Sequence, residues 1–435
     1  MVNIKFTKSD LYYKKALEVI PTASQTFSKS AIQYSRGASP LFLEKGEGAF
    51  VWDVDGNKYI DYVGALLPII LGYNDKDVNS AIRKQLTKGI SFSLPTTIEL
   101  ELAQLIIEFI PCAEMVRFAK NGSDTTSAAV RLARAYTGKN IIAVSGYHGW
   151  HDWYIGTTTR NLGVPKKIAQ FTKSFEFNNI MSFKKLLSEN ENNVAGVIIE
   201  PESGIPANKK FLNELREITH KKNIILIFDE IVTGFRVALS GAQAKYNIRP
   251  DLACFGKSIA NGMPLSVIAG KKNIMKLMDD IFFSGTFNGE ALSIAAGIAT
   301  LNKLKNLNVT NKIIEHGKFL KKEIKILIEN NKLNKFIQIT GENWRPYFII
   351  KNNDILVTTL FRQTCIKHGV LICSGFNLSY AHLSDKVKKK SKNSFKNIFH
   401  EMNMIMKSPR PEEFLRGNLI KPIFEVREIK KKKHE

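Results

Sequence analysis

Residues 224–231 read IILIFDEI, an unbroken apolar run that ends in two acidic residues and an isoleucine. Because the run does not alternate between polar and apolar residues, it predicts a strand of a sheet that is buried on both faces. Similar runs lie on either side of it, with amphipathic segments between them. The predicted strands are 141–144, 194–199, 224–228, 252–255 and 267–269, and the predicted helices are 127–136, 209–220 and 291–304. This alternation predicts an α/β domain with a mostly parallel sheet.

The last third of the sequence follows a different pattern, in which long amphipathic segments flank a short apolar one. The predicted helices there are 310–330, 355–368 and 384–404, around a strand at 348–350. This pattern predicts a smaller α+β domain. We therefore expect a large domain over 56–308 and a small domain built from 309–407 with the N-terminal segment 1–55. Prolines at 409 and 411 interrupt any helix, so 408–435 is expected to form a basic, partly flexible tail.

Charge and composition narrow the possible partners. The formal net charge is +23, but lysine is spread along the whole chain and no nucleic-acid-binding motif accompanies it, so nucleic acid is not an expected partner. Residues 1–20 mix charges throughout, unlike a signal peptide, and the apolar stretch 65–71 is too short to span a bilayer. We expect no membrane association.

The cysteines indicate neither a metal site nor a redox pair. None of the four shows the C-x-x-C spacing that zinc sites and redox dithiols use; they are Cys112, Cys254, Cys365 and Cys373. Scattered cysteines are typical of a reducing compartment, so we expect a cytoplasmic protein without a bound metal.

Two motifs that contain glycine lie at the ends of predicted elements. The first precedes a predicted helix, and the second follows a predicted strand. In Asn121-Gly122-Ser123-Asp124-Thr125, a helix start with hydroxyl groups and a small residue suits a phosphate group, although the same residues also form ordinary helix caps. Gly146-Tyr147-His148-Gly149 follows the strand 141–144. Tyr147 can stack on a planar ring, or it can simply fill the edge of the core.

Two further motifs follow the strands 224–228 and 252–255. Asp229 lies where α/β sheets bind their ligands, and its carboxylate suits a protonated pyridine nitrogen, with Ile231 packing on the ring. Asp229 can equally be an exposed loop acid or, with Glu230, the metal-binding acid of an ATPase, but no G-x-x-x-x-G-K-[ST] motif supports the latter. Lys257 follows 28 residues later. A lysine at a buried strand end becomes a nucleophile toward aldehydes, whereas most lysines of a basic chain are solvated.

Taken in order, these motifs resemble those of the class III (ornithine/ω-type) aminotransferases, and within that class the branch of glutamate-1-semialdehyde 2,1-aminomutase and its relatives. The resemblance covers 20–404. It is carried by GEG at 46–48, VWDVDGN at 51–57, EMVRF at 114–118, RLAR at 131–134, YTG at 136–138 and the long match over 228–243, which includes TGFR at 233–236.

The resemblance implies the pyridoxal-5′-phosphate (PLP)-dependent transferase fold type I and a homodimer with its active site at the interface. It also implies that PLP is held as a Schiff base on Lys257 and that Asp229 pairs with the pyridine nitrogen. The other cofactor-binding positions that it implies are Gly122 and Ser123 at the phosphate, Tyr147 on the ring, Ile231 and Glu200 near the cofactor, and Thr286 reaching the phosphate from the other subunit.

The sequence departs from the aminomutase pattern at substrate-binding positions. The N-S-P-V-R motif, whose arginine binds the substrate carboxylate, is replaced here by residues 25–29, which end in Lys29. The glutamate that retains the diamine intermediate is missing from 376–382. We therefore favour intermolecular transamination, from a donor such as glutamate to an aldehyde or keto acceptor, with the 2,1-aminomutase reaction as the alternative.

Four residues are candidates for substrate contacts. They are Lys29, Trp150, His151 and Arg345. His151, like its neighbour Asp152, can equally be a loop residue with ordinary hydrogen bonds.

Overall fold

The computed structural model describes residues 4–202 and 204–421, and these fall into two units. The small unit comprises the described residues of 4–75 and 311–421, and the large unit those of 76–310. The sequence pattern predicts that 56–75 belong to the large domain, but in the structure these residues belong to the small unit. The reason is that the strand Lys58–Asp61 pairs with Phe50–Asp53 and with Val370–Leu371.

The small unit contains two sheets and several helices. Its helices are α1 (Thr7–Val19), α12 (Val309–Asn330, whose first two residues belong to the large unit), α13 (Ile355–Lys367) and α14 (Asp385–Lys407). Its strands are β1 (Leu43–Glu47), β2 (Phe50–Asp53), β3 (Lys58–Asp61), β11 (Ile337–Thr340), β12 (Tyr347–Ile350) and β13 (Val370–Leu371). The larger sheet has the order β1-β2-β3-β13, and β11 pairs with β12.

The chain after α14 also packs on the small unit, as far as it is described. Ile420 is buried, and its N–H donates to the Thr359 hydroxyl at 3.3 Å. The Gln363 amide donates to the Phe414 carbonyl at 2.6 Å. Residues 408–421 are therefore held in place, and the rest of the expected basic tail, 422–435, lies outside the described residues.

The large unit is built on a seven-stranded sheet with the order β4-β10-β9-β8-β7-β5-β6. The strands are β4 (Met115–Ala119), β5 (Ile141–Ser145), β6 (Thr172–Ser174), β7 (Val194–Ile199), β8 (Ile225–Asp229), β9 (Leu252–Phe255) and β10 (Ser266–Gly270). Strands β6, β5, β7, β8 and β9 are parallel, and β10 runs antiparallel to both β9 and β4. The predicted α/β architecture with a mostly parallel sheet is confirmed.

Helices cover this sheet because its central strands are apolar on both faces. Strands β5, β7, β8 and β9 are buried along their whole length. The helices are α2 (Lys76–Leu86), α3 (Thr97–Phe109), α4 (Gly122–Thr137), α5 (Asp152–Ile155), α6 (Lys166–Ala169), α7 (Ile180–Glu189), α8 (Lys209–Lys221), α9 (Gly241–Tyr246), α10 (Lys272–Met275) and α11 (Ala291–Asn306). Every predicted strand and helix of this unit is present, and β4 and β6 were not predicted.

Candidate active site

The four motifs meet at one edge of the large sheet. Strands β5, β8 and β9 are parallel, and β4 has the same direction because β10 is antiparallel to both β4 and β9. The carboxyl ends of these strands lead into Tyr147, Asp229, Lys257 and the first turn of α4. This is the edge at which α/β sheets bind their ligands.

The first turn of α4 begins with a close backbone approach. Asn121 caps the helix, and its N–H donates to the Asp124 carboxylate at 2.7 Å, so the helix begins at Gly122 rather than at the predicted 127. A Cβ on Gly122 would lie 2.9 Å from Cδ1 of Ile231. Glycine at this position lets Ile231 pack directly against the helix start. The N–H groups of such a turn form a ready anion-binding site.

A second glycine brings the Tyr147 loop against the same turn. Gly149 has a φ of +108°, and a Cβ there would overlap the Ser123 hydroxyl. The Trp150 N–H donates to that hydroxyl at 3.3 Å. The loop therefore closes one side of the turn that carries Gly122 and Ser123.

Asp229 is a buried carboxylate with two hydrogen-bond donors. Its Oδ1 accepts from the Ile231 N–H at 3.1 Å, and its Oδ2 lies 2.8 Å from Nδ1 of His148. His148 is 2% exposed and stacks on Trp153, with an angle of 14° between the rings. Its Nε2 is buried and has no hydrogen-bond partner within the described residues. His148 thus holds the Asp229 carboxylate, a contact that the sequence did not predict.

Glu200 and Tyr147 are joined at the same edge. The Tyr147 N–H donates to the Glu200 carboxylate at 2.8 Å. Burial and the negative charge of Asp229 raise the pKa of Glu200, against the opposing effects of His148, the Tyr147 N–H and Lys257. Burial, with Asp229 and Glu200, also raises the pKa of Tyr147, so its phenol stays neutral.

Lys257 stands on a strained turn at the end of β9. Its φ is +43°, a left-handed conformation that costs a residue with a side chain about 1–3 kcal/mol. The short 3-10 turn Lys257–Ala260 follows, and Ser258, Ile259 and Ala260 are fully buried. Such strain persists only where surrounding contacts impose it, and it occurs often at functional sites.

The structure does not bring Thr286 into this group. It lies in an exposed turn at 286–289, close to Phe282 and Phe287, which are 84% and 61% exposed. The Arg131 guanidinium donates to the Phe282 carbonyl at 2.7 Å and so holds the start of this segment.

The four substrate candidates have different surroundings. In the large unit, Trp150 is 67% exposed, while Nδ1 of His151 lies 2.6 Å from the Ser127 hydroxyl. In the small unit, Lys29 is exposed, and the Arg345 Nε donates to the Asn377 side chain at 3.0 Å. His151 and Arg345 thus each form a hydrogen bond within the protein.

The residues at this sheet edge fit the chemistry of PLP. No cluster of side chains that could hold a metal ion occurs within the described residues. A separate finding is that none of the described helices is long and apolar enough to cross a membrane. A buried carboxylate supported by a histidine suits a protonated ring nitrogen, and the glycine-lined helix start suits a phosphate. These parts, with a lysine on a strained turn, are what PLP needs.

Comparison with known proteins gives the same assignment. The family model described as aminotransferase class-III matches residues 33–342. Glutamate-1-semialdehyde 2,1-aminomutase of Natranaerobius thermophilus is 36% identical over 363 residues, which covers 79% of this chain and 84% of that protein. 3-Aminobutyryl-CoA aminotransferase of Cloacimonas acidaminovorans is 34% identical over 382 residues, covering 85% and 91%.

A solved structure shows the same fold. The FumI protein of Sphingopyxis sp. MTA144, solved in its PLP internal aldimine form, is 26% identical to this chain. It superposes with a TM-score of 0.87 and covers 94% of this chain and 99% of its own. The fold type I prediction is therefore confirmed.

Proposed function

The chain belongs to the class III aminotransferases, which are PLP-dependent enzymes, and from that premise we propose that it moves an amino group from a donor such as glutamate to an aldehyde or keto acceptor. The observation that carries this proposal is the arrangement of Asp229, supported by His148, and Lys257 at one sheet edge. When bound, PLP supplies an electron-poor ring that stabilises negative charge on the carbon bearing the amino group.

Each residue of the site has a proposed role toward that ring. Asp229 would keep the pyridine nitrogen protonated, and His148 fixes the carboxylate in place. The N–H groups and hydroxyl of the first turn of α4, at Gly122 and Ser123, hold the phosphate.

The ring faces and the reacting carbon involve four further residues. Tyr147 and Ile231 would pack on the ring, and the Glu200 carboxylate holds the Tyr147 loop by accepting its backbone N–H. The amine of Lys257 would hold the cofactor, and the same amine would act as the base that moves the proton at the substrate carbon.

The 2,1-aminomutase reaction is the second candidate, and the Natranaerobius relative favours it. An internal amino shift requires that the intermediate stay bound. The stretch 369–384 contains no acidic residue, so it offers no carboxylate to hold a diamine. This is why we favour transfer between two molecules.

We propose that the enzyme works as a homodimer and that Thr286 serves the partner's phosphate. Exposed apolar side chains in the Thr286 segment and in a second segment bonded to it support the proposal. Phe92, Leu94 and Phe287 are 50%, 79% and 61% exposed, and the Ala291 N–H donates to the Ile90 carbonyl at 2.9 Å, which joins their two segments. Sedimentation of the holoenzyme tests the dimer, and Phe287→Glu should shift it toward the monomer.

We also propose a cytoplasmic location, which the unpaired state of all the cysteines supports. Fractionation of the native cell, with the chain followed by antibody, tests this.

The activity is tested with purified holoenzyme and glutamate. We expect a visible PLP absorbance band that glutamate converts to the band of the pyridoxamine form. The amount of 2-oxoglutarate released should equal the amount of pyridoxamine form produced. Reaction with glutamate-1-semialdehyde alone, without 2-oxoglutarate, would establish the aminomutase instead. A protein with no visible band and no borohydride-trapped adduct on Lys257 would overturn both candidates.

A further inference from the structure

A buried polar chain links the neighbours of the two central site residues. Asp229 is followed by Glu230, and Lys257 is followed by Ser258; both following residues are fully buried. The carboxylate of Glu230 accepts the Thr233 hydroxyl at 2.5 Å. At the other end, the Arg236 Nε donates to the Ser258 hydroxyl at 2.8 Å.

The middle of this chain is a tight backbone turn. The Arg236 N–H donates to the Thr233 carbonyl at 3.0 Å. Phe235 within the turn has a φ of +64°, and Gly234 lies so close to Phe255 that a Cβ would stand 2.6 Å from its ring. The turn is thus pressed against the last residue of β9, the strand that leads to Lys257.

The hydrogen bond between Arg236 and Ser258 joins two strained places. Each of these residues comes directly after one with a left-handed backbone, Phe235 and Lys257 respectively. Arg236 is only 2% exposed, and a buried guanidinium is stable only with well-placed acceptors. Ser258 provides one of them and is held in return. This hydrogen bond therefore fixes Ser258, the residue that directly follows Lys257 in the strained turn.

We propose that the chain Glu230–Thr233–Arg236–Ser258 is a positioning device that fixes Lys257 relative to Asp229. The four residues touch neither substrate nor cofactor in this proposal. They set the backbone from which the lysine amine reaches the reacting carbon, while Asp229 is fixed at the other end of the same chain. The inference rests on the proposed PLP chemistry and assigns a role to the TGFR motif at 233–236.

The test compares Ser258→Ala with Ser391→Ala as holoenzymes. Ser391 is also buried and its hydroxyl bonds Tyr62 at 2.6 Å, so both variants lose one buried hydroxyl contact. We expect Ser258→Ala to lower kcat about tenfold to a hundredfold, because small misplacements of reacting groups are costly. We also expect it to move the midpoint of the pH titration of the PLP absorbance band, with KM little changed. Ser391→Ala should do neither.

A second pair keeps the test valid if Ser258→Ala does not fold. Thr233→Val removes the hydroxyl bound to Glu230 at nearly constant volume, and Thr233→Ser retains it. We expect Thr233→Val to reproduce the spectral shift and Thr233→Ser to stay near the wild type. Equal titration midpoints and kcat in both pairs would overturn the positioning role. A wild-type enzyme without a PLP band would instead overturn the proposed function.

Discussion

His148 Nδ1 lies 2.8 Å from Asp229 Oδ2, and the two residues are 81 positions apart in the chain. Both side chains are buried, so the hydrogen bond forms away from bulk water. Such a bond to a charged group contributes about 1.5–3 kcal/mol, more than one between neutral groups. Asp229 therefore depends on His148 for its orientation and for part of its stability as a buried carboxylate.

We predict that His148→Phe lowers kcat and weakens PLP retention, each about tenfold or more. Phenylalanine keeps the stacking on Trp153 but loses the hydrogen bond to Asp229. Steady-state rates and PLP loss on dialysis measure the two effects. His316→Phe is the matched control, since His316 is also buried but lies in the small unit. Similar losses in the two variants would contradict a specific role of His148.

Gly149→Ala is predicted to weaken PLP binding about tenfold or more, since the added Cβ would displace Ser123 from the helix start that is proposed to hold the phosphate. The matched control is Gly163→Ala. Gly163 also has a positive φ, +87°, but a Cβ there meets nothing within 4 Å. Both variants place a side chain on a residue with a positive φ, so both have backbone strain. Only Gly149→Ala should raise the PLP dissociation constant measured by fluorescence. Equal constants would rule out the steric explanation.

The elements that the sequence predicts well are those whose pattern is local. Strands β7 and β9 are uninterrupted apolar runs and were predicted with their observed bounds. Strand β4 was missed because the charged Arg117 lies exposed in its middle, and β6 because it has only three residues, one of them Lys173. An edge or solvent-facing strand does not need a continuous apolar run.

The site residues also divide into those that a local sequence pattern reveals and those that it does not. Asp229 and Lys257 are recognisable because each follows a buried strand. His148 carries no comparable signal, because a single histidine in a glycine loop gains its meaning only from a partner far along the chain. Helix α4 begins five residues before the predicted 127, because Asn121, in a motif whose residues the sequence already marks as possible helix caps, bonds reciprocally with Asp124 in the structure.

Asp229→Asn is predicted to lower kcat about a hundredfold or more, because the amide keeps the shape of the carboxylate but not the charge that keeps the ring nitrogen protonated. Asp251→Asn is the control. Asp251 is equally buried and pairs with Arg216 at 2.9 Å. It comes just before β9 in the chain, whereas Lys257 comes just after that strand. We expect it to lower the melting temperature while leaving kcat unchanged well below that temperature. If Asp229→Asn instead lowered the melting temperature and left kcat unchanged, Asp229 would serve only stability.

Glu290 provides a prediction about pH and stability. It caps α11 through the N–H groups of Leu292 and Ser293, and it pairs with Lys120 at 3.0 Å. Burial by itself raises the pKa of Glu290, but the hydrogen bonds from Ser293 and Lys120 and the positive charge of Lys120 outweigh it. The net pKa in the folded protein is therefore lower than the ordinary value of 4.5.

A lowered pKa in the folded state means that the ionised side chain stabilises the protein above pH 4.5, and that this contribution is lost as the pH falls through the folded-state pKa. Glu290→Gln should accordingly lower the melting temperature at pH 7 by a few degrees, about 2–4 °C for each kcal/mol in a unit of this size. The difference from the wild type should shrink below pH 4.5. Glu108→Gln, which breaks an exposed pair with Lys305, should have almost no effect. If the Glu290→Gln difference were the same at every pH, the Glu290 charge would not be its cause, and the amide would be disturbing the helix cap directly.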